Sequence, residues 1–159
     1  MLVMRGKLEQ LKNRQGGFTI IEMLVVIVII GILLALVFAT YAGVQRNERN
    51  QERQRDVQDV YQQLEAYYVE NSKYPTLSDI NSATWRGTNM KTLNKESLRD
   101  PSGSSYALVA QPTREAYAYD VVAADGSACD NLTKPCAHYT LIATLQNSPE
   151  KTYVKSSLN

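Results

Sequence analysis

Residues 18–44 read FTIIEMLVVIVIIGILLALVFATYAGV. Glu22 is the single charge in these 27 residues, and apolar side chains cover every side of a helix drawn through them. At ~1.5 Å of rise per residue such a helix is roughly 40 Å long. A hydrocarbon core of ~30 Å needs only ~20 apolar residues. A helix that is oily all round requires either a large protein core or lipid around it. The rest of the chain is too short to supply that core, so the segment predicts a membrane-spanning helix.

The flanks orient it. Residues 1–17 carry Arg5, Lys7, Lys12 and Arg14 against Glu9, a net charge of +3. Downstream, Arg46, Arg49, Arg53 and Arg55 are balanced by Glu48, Glu52, Asp56 and Asp59. By the positive-inside rule the N-terminus stays in the cytoplasm and residues 45–159 face outward. The apolar stretch is longer than the ~7–15 residues of a secretory signal, and no A-x-A site closes it. Gly16 and Gly17 stand before it instead, where small residues open an extended backbone to a protease.

These segments explain an otherwise featureless composition. The 159 residues have a net charge of +1, a mean hydropathy of -0.30 and 44% hydrophobic content. The near-neutral charge argues against a dedicated nucleic-acid binder. The hydrophobic content excludes a disordered chain. Two cysteines are too few for a disulfide-built scaffold. One histidine leaves little room for histidine-rich metal sites or most acid–base triads.

Glu22 needs a reason. A carboxylate near the centre of a membrane helix costs roughly 2.5–3.5 kcal/mol on the insertion scale, and less near an end. It can snorkel to the interface, or it can await a cation. Cleavage after Gly17 would give Phe18 a free amine four residues before Glu22. That amine can pair with Glu22 of the same helix or of a neighbouring subunit, and a low dielectric strengthens the pair.

Gly17 followed by FTIIEMLVVIVIIGILLALV resembles the amino-terminal signature of type IV pilins and pseudopilins: a short basic leader ending in glycine, an aromatic residue, and a glutamate at the fifth mature position. The resemblance implies that a prepilin peptidase cuts between Gly17 and Phe18 and methylates the Phe18 amine. It assigns Glu22 to recruitment and registration of the incoming subunit. Gln15 and Gly16 stand where many members carry Lys or Arg, and Ala39 stands where many major pilins carry proline.

Gly31, Ala35, Ala39 and Gly43 recur at every fourth position. Such small-residue stripes let membrane helices approach closely, although glycine and alanine are also common in membrane helices generally. Helical character continues beyond the oily segment. Residues 45–70 lack Pro and Gly, and Val57, Val60, Tyr61, Leu64 and Tyr68 follow 3–4 spacing among charged residues read as a solvated face. Asn71-Ser72 and Tyr74-Pro75 mark the end. One helix from about Thr19 to Glu70 is expected, with an amphipathic half over 45–71.

Residues 72–105 read as a loop with one short helix around 92–98, and Trp85 is placed to anchor it. Asp100-Pro101-Ser102-Gly103 is a turn signal, similar to an Asp-Pro-x-Gly stretch of pseudopilins. Strand-like runs follow at 106–110, 116–122 and 139–145, with a shorter one at 152–154. Tyr139, Leu141, Ala143 and Leu145 alternate with polar or outward positions. The elements predict an α+β fold of the type IV pilin kind: a long N-terminal helix packed against a three- to four-stranded antiparallel sheet. Residues 1–17 are the cleaved leader, 18–44 the membrane and filament-core helix, and 45–159 the extracytoplasmic head.

Cys129 and Cys136 enclose six residues. An oxidising compartment favours a disulfide, worth roughly 2–3 kcal/mol through chain entropy; metal ligation together with His138 is the alternative, but no fourth ligand is evident. By resemblance, such a disulfide frames the exposed variable region of pilins. Asp120, Asp125 and Asp130 read as turn residues or as a calcium loop, and Asn131-Leu132-Thr133 fits a glycosylation sequon. No phosphate loop, nucleophile constellation or paired acid–base site appears, so neither an enzyme nor a cofactor or metal requirement is expected.

The reading is a structural subunit of a type IV pilus, stored in the cytoplasmic membrane and assembled into a helical homo-oligomeric fibre on the cell surface for adhesion, motility or uptake. Its expected partners are the prepilin peptidase, the assembly platform and its ATPase machinery, with no specific nucleic-acid site. The alternatives are a pseudopilin of a type II secretion or competence DNA-uptake system, and a membrane-anchored binding module that never polymerises. Removing the leader leaves a mature chain of net charge -2.

Overall fold

A computed structural model describes residues 17–146 and 151–159. The leader up to Gly16 lies outside the described residues, as do the side chains of Ala39, Thr40 and Ala42. The chain divides into two compact units, Met1–Ala42 and Gly43–Asn159.

Helix α1 covers Ile20–Asn71. Its first turn is fixed by Thr19 and Glu22, which exchange the reciprocal hydrogen bonds of a capping box. Its end is set by Ser72, whose φ of 55° is left-handed and whose N–H closes on the Tyr68 carbonyl at 2.7 Å. The helix therefore runs one residue past the expected Glu70 and stops at the Asn71-Ser72 signal.

In the second unit, α1 buries Asn50, Arg53, Val57, Val60, Leu64 and Tyr67. This 3–4 stripe presses on the inner face of a three-stranded antiparallel sheet, β1 (Ala118–Val122), β2 (His138–Leu145) and β3 (Lys151–Ser156), in the order β1-β2-β3. β2 alternates as expected, with Tyr139, Leu141, Ala143 and Leu145 buried. The register sets Tyr119 opposite Leu141 and Ala143 opposite Tyr153. Tyr74, Tyr119 and Tyr139 interlock in the core, with ring centroids 4.6 Å apart for Tyr74–Tyr139 and 5.8 Å for Tyr119–Tyr139. An α+β fold of the type IV pilin kind results.

Three expectations need correction. Residues 106–110 are not a strand. Val109 makes one parallel bridge to Ala118, and the side-chain amide of Asn81 takes both backbone groups of Leu108, at 2.8 and 2.9 Å. A side chain thus satisfies groups that a ladder would have used. Residues 72–105 are more ordered than a loop. They contain α2 (Leu77–Asn81) and α3 (Ala83–Asn89), while the expected helix at 92–98 is only a 3-10 turn, Lys95–Leu98. Thr76 and Asp79 form a capping box for α2, and Ser82 ends α2 and caps α3, so short polar residues read as loop formers are helix caps. Trp85 does anchor this region, 5.3 Å from Tyr67. Finally, the charged residues of α1 are not uniformly on a solvated face, since Arg53 is fully buried.

Candidate functional site

Among the described residues, the apolar side chains of the first unit are exposed. Phe18 is 76% exposed and Ile20 89%, and none of the most apolar 18-residue window is buried. At ~25 cal/mol per Å² of apolar surface removed from water, such a helix is stable only in lipid or among other helices. No atom of the described residues lies within 4 Å of where a Cβ on Gly31 would stand, so none of them requires glycine there. Ala35 is likewise exposed.

Glu22 is exposed on this surface and does not stand alone. Its Oε2 accepts from the Thr19 N–H at 3.1 Å and from Thr19 Oγ1 at 3.2 Å. The sequence reading set interfacial snorkelling against pairing with the Phe18 amine for Glu22, and did not include Thr19. The T-x-x-E capping pattern was the available signal for Thr19.

In the second unit a polar cluster joins α1 to the loops. Arg53 Nε and Nη2 donate to the two Asp100 oxygens at 2.6 and 2.8 Å; Nη2 also reaches Ser102 Oγ at 2.9 Å, and Nη1 reaches Asn50 Oδ1 at 3.3 Å. Both charged side chains are dry, at 0% and 1% exposure. The Asp100-Pro101-Ser102-Gly103 turn is thereby fastened to the helix. Gly103 is required in it, because a Cβ there would stand 2.0 Å from the Glu115 carbonyl oxygen. Sequence reasoning missed this pair. The signal was Arg53 lying four residues before Val57, on the apolar stripe itself.

Next to it, Asp56 accepts from the Tyr117 hydroxyl at 2.7 Å. Burial pushes the Asp56 carboxyl up to about 6, with Glu52, Asp59 and Asp100 adding to the effect and the Tyr117 bond opposing it. Glu65 accepts from both the Tyr74 and Tyr139 hydroxyls, so the core tyrosines find polar partners.

Cys129 and Cys136 are joined in a disulfide with Cα atoms 5.1 Å apart. Neither sulfur is therefore a thiolate ligand, and His138 Nδ1 meets the Asn159 carbonyl oxygen at 2.8 Å. Inside the loop, Asp130 accepts from the N–H groups of Leu132, Thr133 and Lys134. Asp125 accepts from Lys134 Nζ and from Ser127. These bonds hold both carboxyls well below the usual range. The aspartates thus work as turn locks, and among the described residues no group of three or more His, Cys, Asp or Glu side chains converges to hold a metal. Asn131 of the sequon donates to the Tyr74 carbonyl and accepts from the Cys136 N–H, both bonds from its side-chain amide.

The first unit is thus an exposed apolar helix with a capped glutamate in its first turn. The family described as "Prokaryotic N-terminal methylation motif" matches residues 12–38. The chain carries the type IV pilin and pseudopilin leader signature. Its motif implies processing by a prepilin peptidase and dealings with membrane assembly machinery, and its apolar helix fits a membrane-anchored precursor. Neither the curated proteins nor the solved structures yield a match.

Proposed function

We propose that this pilin-like precursor is the structural subunit of a type IV pilus. The peptidase removes residues 1–17 by cutting between Gly17 and Phe18, and the new Phe18 amine is methylated. Residues 18–44 store the subunit in the cytoplasmic membrane with the N-terminus inside, and residues 45–159 form the outward head. Glu22 then receives the Phe18 amine of a neighbouring subunit. The oily helices bundle, with Gly31, Ala35, Ala39 and Gly43 as points of close approach, and the heads cover the fibre.

The observation that supports this reading is the wholly exposed apolar helix carrying one ordered carboxylate in its first turn. Lipid satisfies the apolar surface of a stored subunit. A bundle of identical helices satisfies it after extraction, and an amine inside that bundle compensates the carboxylate.

The test is electron microscopy of sheared surface filaments with mass spectrometry of their subunit. The expected subunit begins at a methylated Phe18. Gly17→Leu should retain its leader, and Glu22→Ala should be cleaved but assemble poorly. Abundant filaments from Glu22→Ala would remove the registration role. Wild-type chain cleaved yet never found in surface fibres would favour the pseudopilin reading.

A further inference from the structure

The side-chain amide of Asn131 is built into the backbone. The Tyr74 N–H donates to the Cys136 carbonyl at 2.9 Å. A closed two-bond bridge would return the Cys136 N–H to the Tyr74 carbonyl. The Asn131 amide stands between them instead: its Oδ1 accepts from the Cys136 N–H at 2.9 Å, and its Nδ2 donates to the Tyr74 carbonyl at 2.8 Å. Tyr74 and Cys136 are both 0% exposed, so the amide satisfies two backbone groups that water does not reach. The chain enters this arrangement through a left-handed Asn131, with φ of 61°. Asp130 holds the following turn, accepting from the Leu132 and Thr133 N–H groups and from the Thr133 hydroxyl, the last at 2.8 Å. Leu132 is nonetheless 91% exposed. The Asn131-Leu132-Thr133 sequon thus reaches the surface while the side chains of both its asparagine and its threonine are engaged.

We propose that Asn131 is an N-glycosyl acceptor that folding closes: the open chain receives a lipid-linked oligosaccharide at Nδ2, and closure of the Cys129–Cys136 loop withdraws that nitrogen into the link between Tyr74 and Cys136. In the transfer, a bond forms between Nδ2 and C1 of the sugar. The bond from C1 to the lipid pyrophosphate breaks, the pyrophosphate leaves with the electron pair, and Nδ2 gives up one proton. Three requirements of that step are unmet in the folded head. The nitrogen must face the donor sugar, but Nδ2 is directed at the Tyr74 carbonyl. The hydroxyl of the sequon must be free for the transferase, but Thr133 Oγ1 donates to Asp130 Oδ2. The tripeptide must leave the loop to enter a catalytic cleft, but the Asn131 N–H is held by the Lys134 carbonyl at 3.0 Å and the disulfide joins the two ends of the loop. Drawing the tripeptide out strands the buried Tyr74 carbonyl and Cys136 N–H, which is the costly way to lose a hydrogen bond. A glycan and the native loop therefore exclude each other. On the outward side of the membrane, where the head is proposed to fold, thiol oxidation and glycosyl transfer compete for the same chain.

The experiment offers the full-length chain in detergent to a purified oligosaccharyltransferase that reads Asn-x-Thr, with a lipid-linked oligosaccharide as donor. One sample is oxidised. In the other, Cys129 and Cys136 are reduced and alkylated, so that the loop stays open. Mass spectrometry of the peptide carrying Asn131 gives the rate of glycan attachment. The oxidised chain should be modified about tenfold more slowly, because the loop must first open locally and give up its bonds. Equal rates would overturn the closure. An open chain that takes no glycan would overturn the acceptor. A second measurement runs the competition in the other order. Chain glycosylated while reduced and only then oxidised should unfold at a lower urea concentration than unmodified oxidised chain, followed by Trp85 fluorescence. An identical midpoint would mean that the Tyr74–Cys136 link tolerates the sugar, and the proposal would fall.

Discussion

Asp100→Asn should be among the most damaging single-atom changes available in the head. In the native protein the Arg53 guanidinium and the Asp100 carboxylate are 0% and 1% exposed and joined by bonds of 2.6 and 2.8 Å. The amide keeps the shape of the side chain and can still accept from the Ser102 N–H, a bond of 2.8 Å in the native turn. What it removes is the carboxylate that pairs with the dry Arg53 guanidinium. Breaking one side of a buried pair costs about 3–5 kcal/mol, because the surviving charge stays desolvated. With a urea slope of ~2 kcal/mol per M for a head of this size, the unfolding midpoint should fall by roughly 2 M. The assay is urea unfolding of the processed full chain in detergent, followed by fluorescence of Trp85, the single tryptophan, which sits 5.3 Å from Tyr67 in the core. Arg53→Met should cost a similar amount. The double variant Arg53→Met/Asp100→Asn buries no charge and should therefore be no worse than the weaker single variant. A loss below ~1 kcal/mol for Asp100→Asn, or a double variant equal to the sum of the singles, would refute the reasoning.

Two further outcomes are expected. Replacing Cys129 and Cys136 by serine, or reducing their disulfide, should destabilise the head by roughly 2–3 kcal/mol, read as a lower urea midpoint under reducing conditions; an unchanged midpoint would mean that the Asp130 turn alone holds the loop. The Asp56 carboxyl, raised from 3.8 to about 6 by burial, binds a proton more tightly in the folded than in the unfolded chain. Its contribution is fully present below pH ~4 and is lost as pH rises through about 6. The full linkage would be ~3 kcal/mol, and half-exposure reduces it to roughly 1–2 kcal/mol. Urea midpoints measured from pH 4 to 7.5 should show this fall in the wild type and lose it in Asp56→Asn.

Much of the molecule is legible in the chain because it depends on periodicity. The oily run, the 3–4 stripe Val57–Val60–Leu64 and the alternation Tyr139–Leu141–Ala143–Leu145 each bury or expose a face by spacing alone, and the structure contains α1, β2 and the inner sheet face accordingly. Composition alone cannot resolve segments whose state is decided by a single bond. Residues 106–110 have strand-forming residues, yet Asn81 takes the backbone groups of Leu108. Thr76 and Ser82 look like loop residues until their hydroxyls are seen to cap α2 and α3.

The division follows from the range of the forces involved. Hydrophobic burial is summed over many residues and leaves a pattern along the sequence, so the chain by itself determined the long apolar helix, the helix-on-sheet architecture and the N-terminal methylation motif at residues 12–38. Directional bonds join single atoms from distant positions and leave no such pattern. Only the tertiary structure decided that Arg53 turns inward to Asp100, 47 residues away, because a guanidinium can be buried only where a carboxylate is brought to meet it.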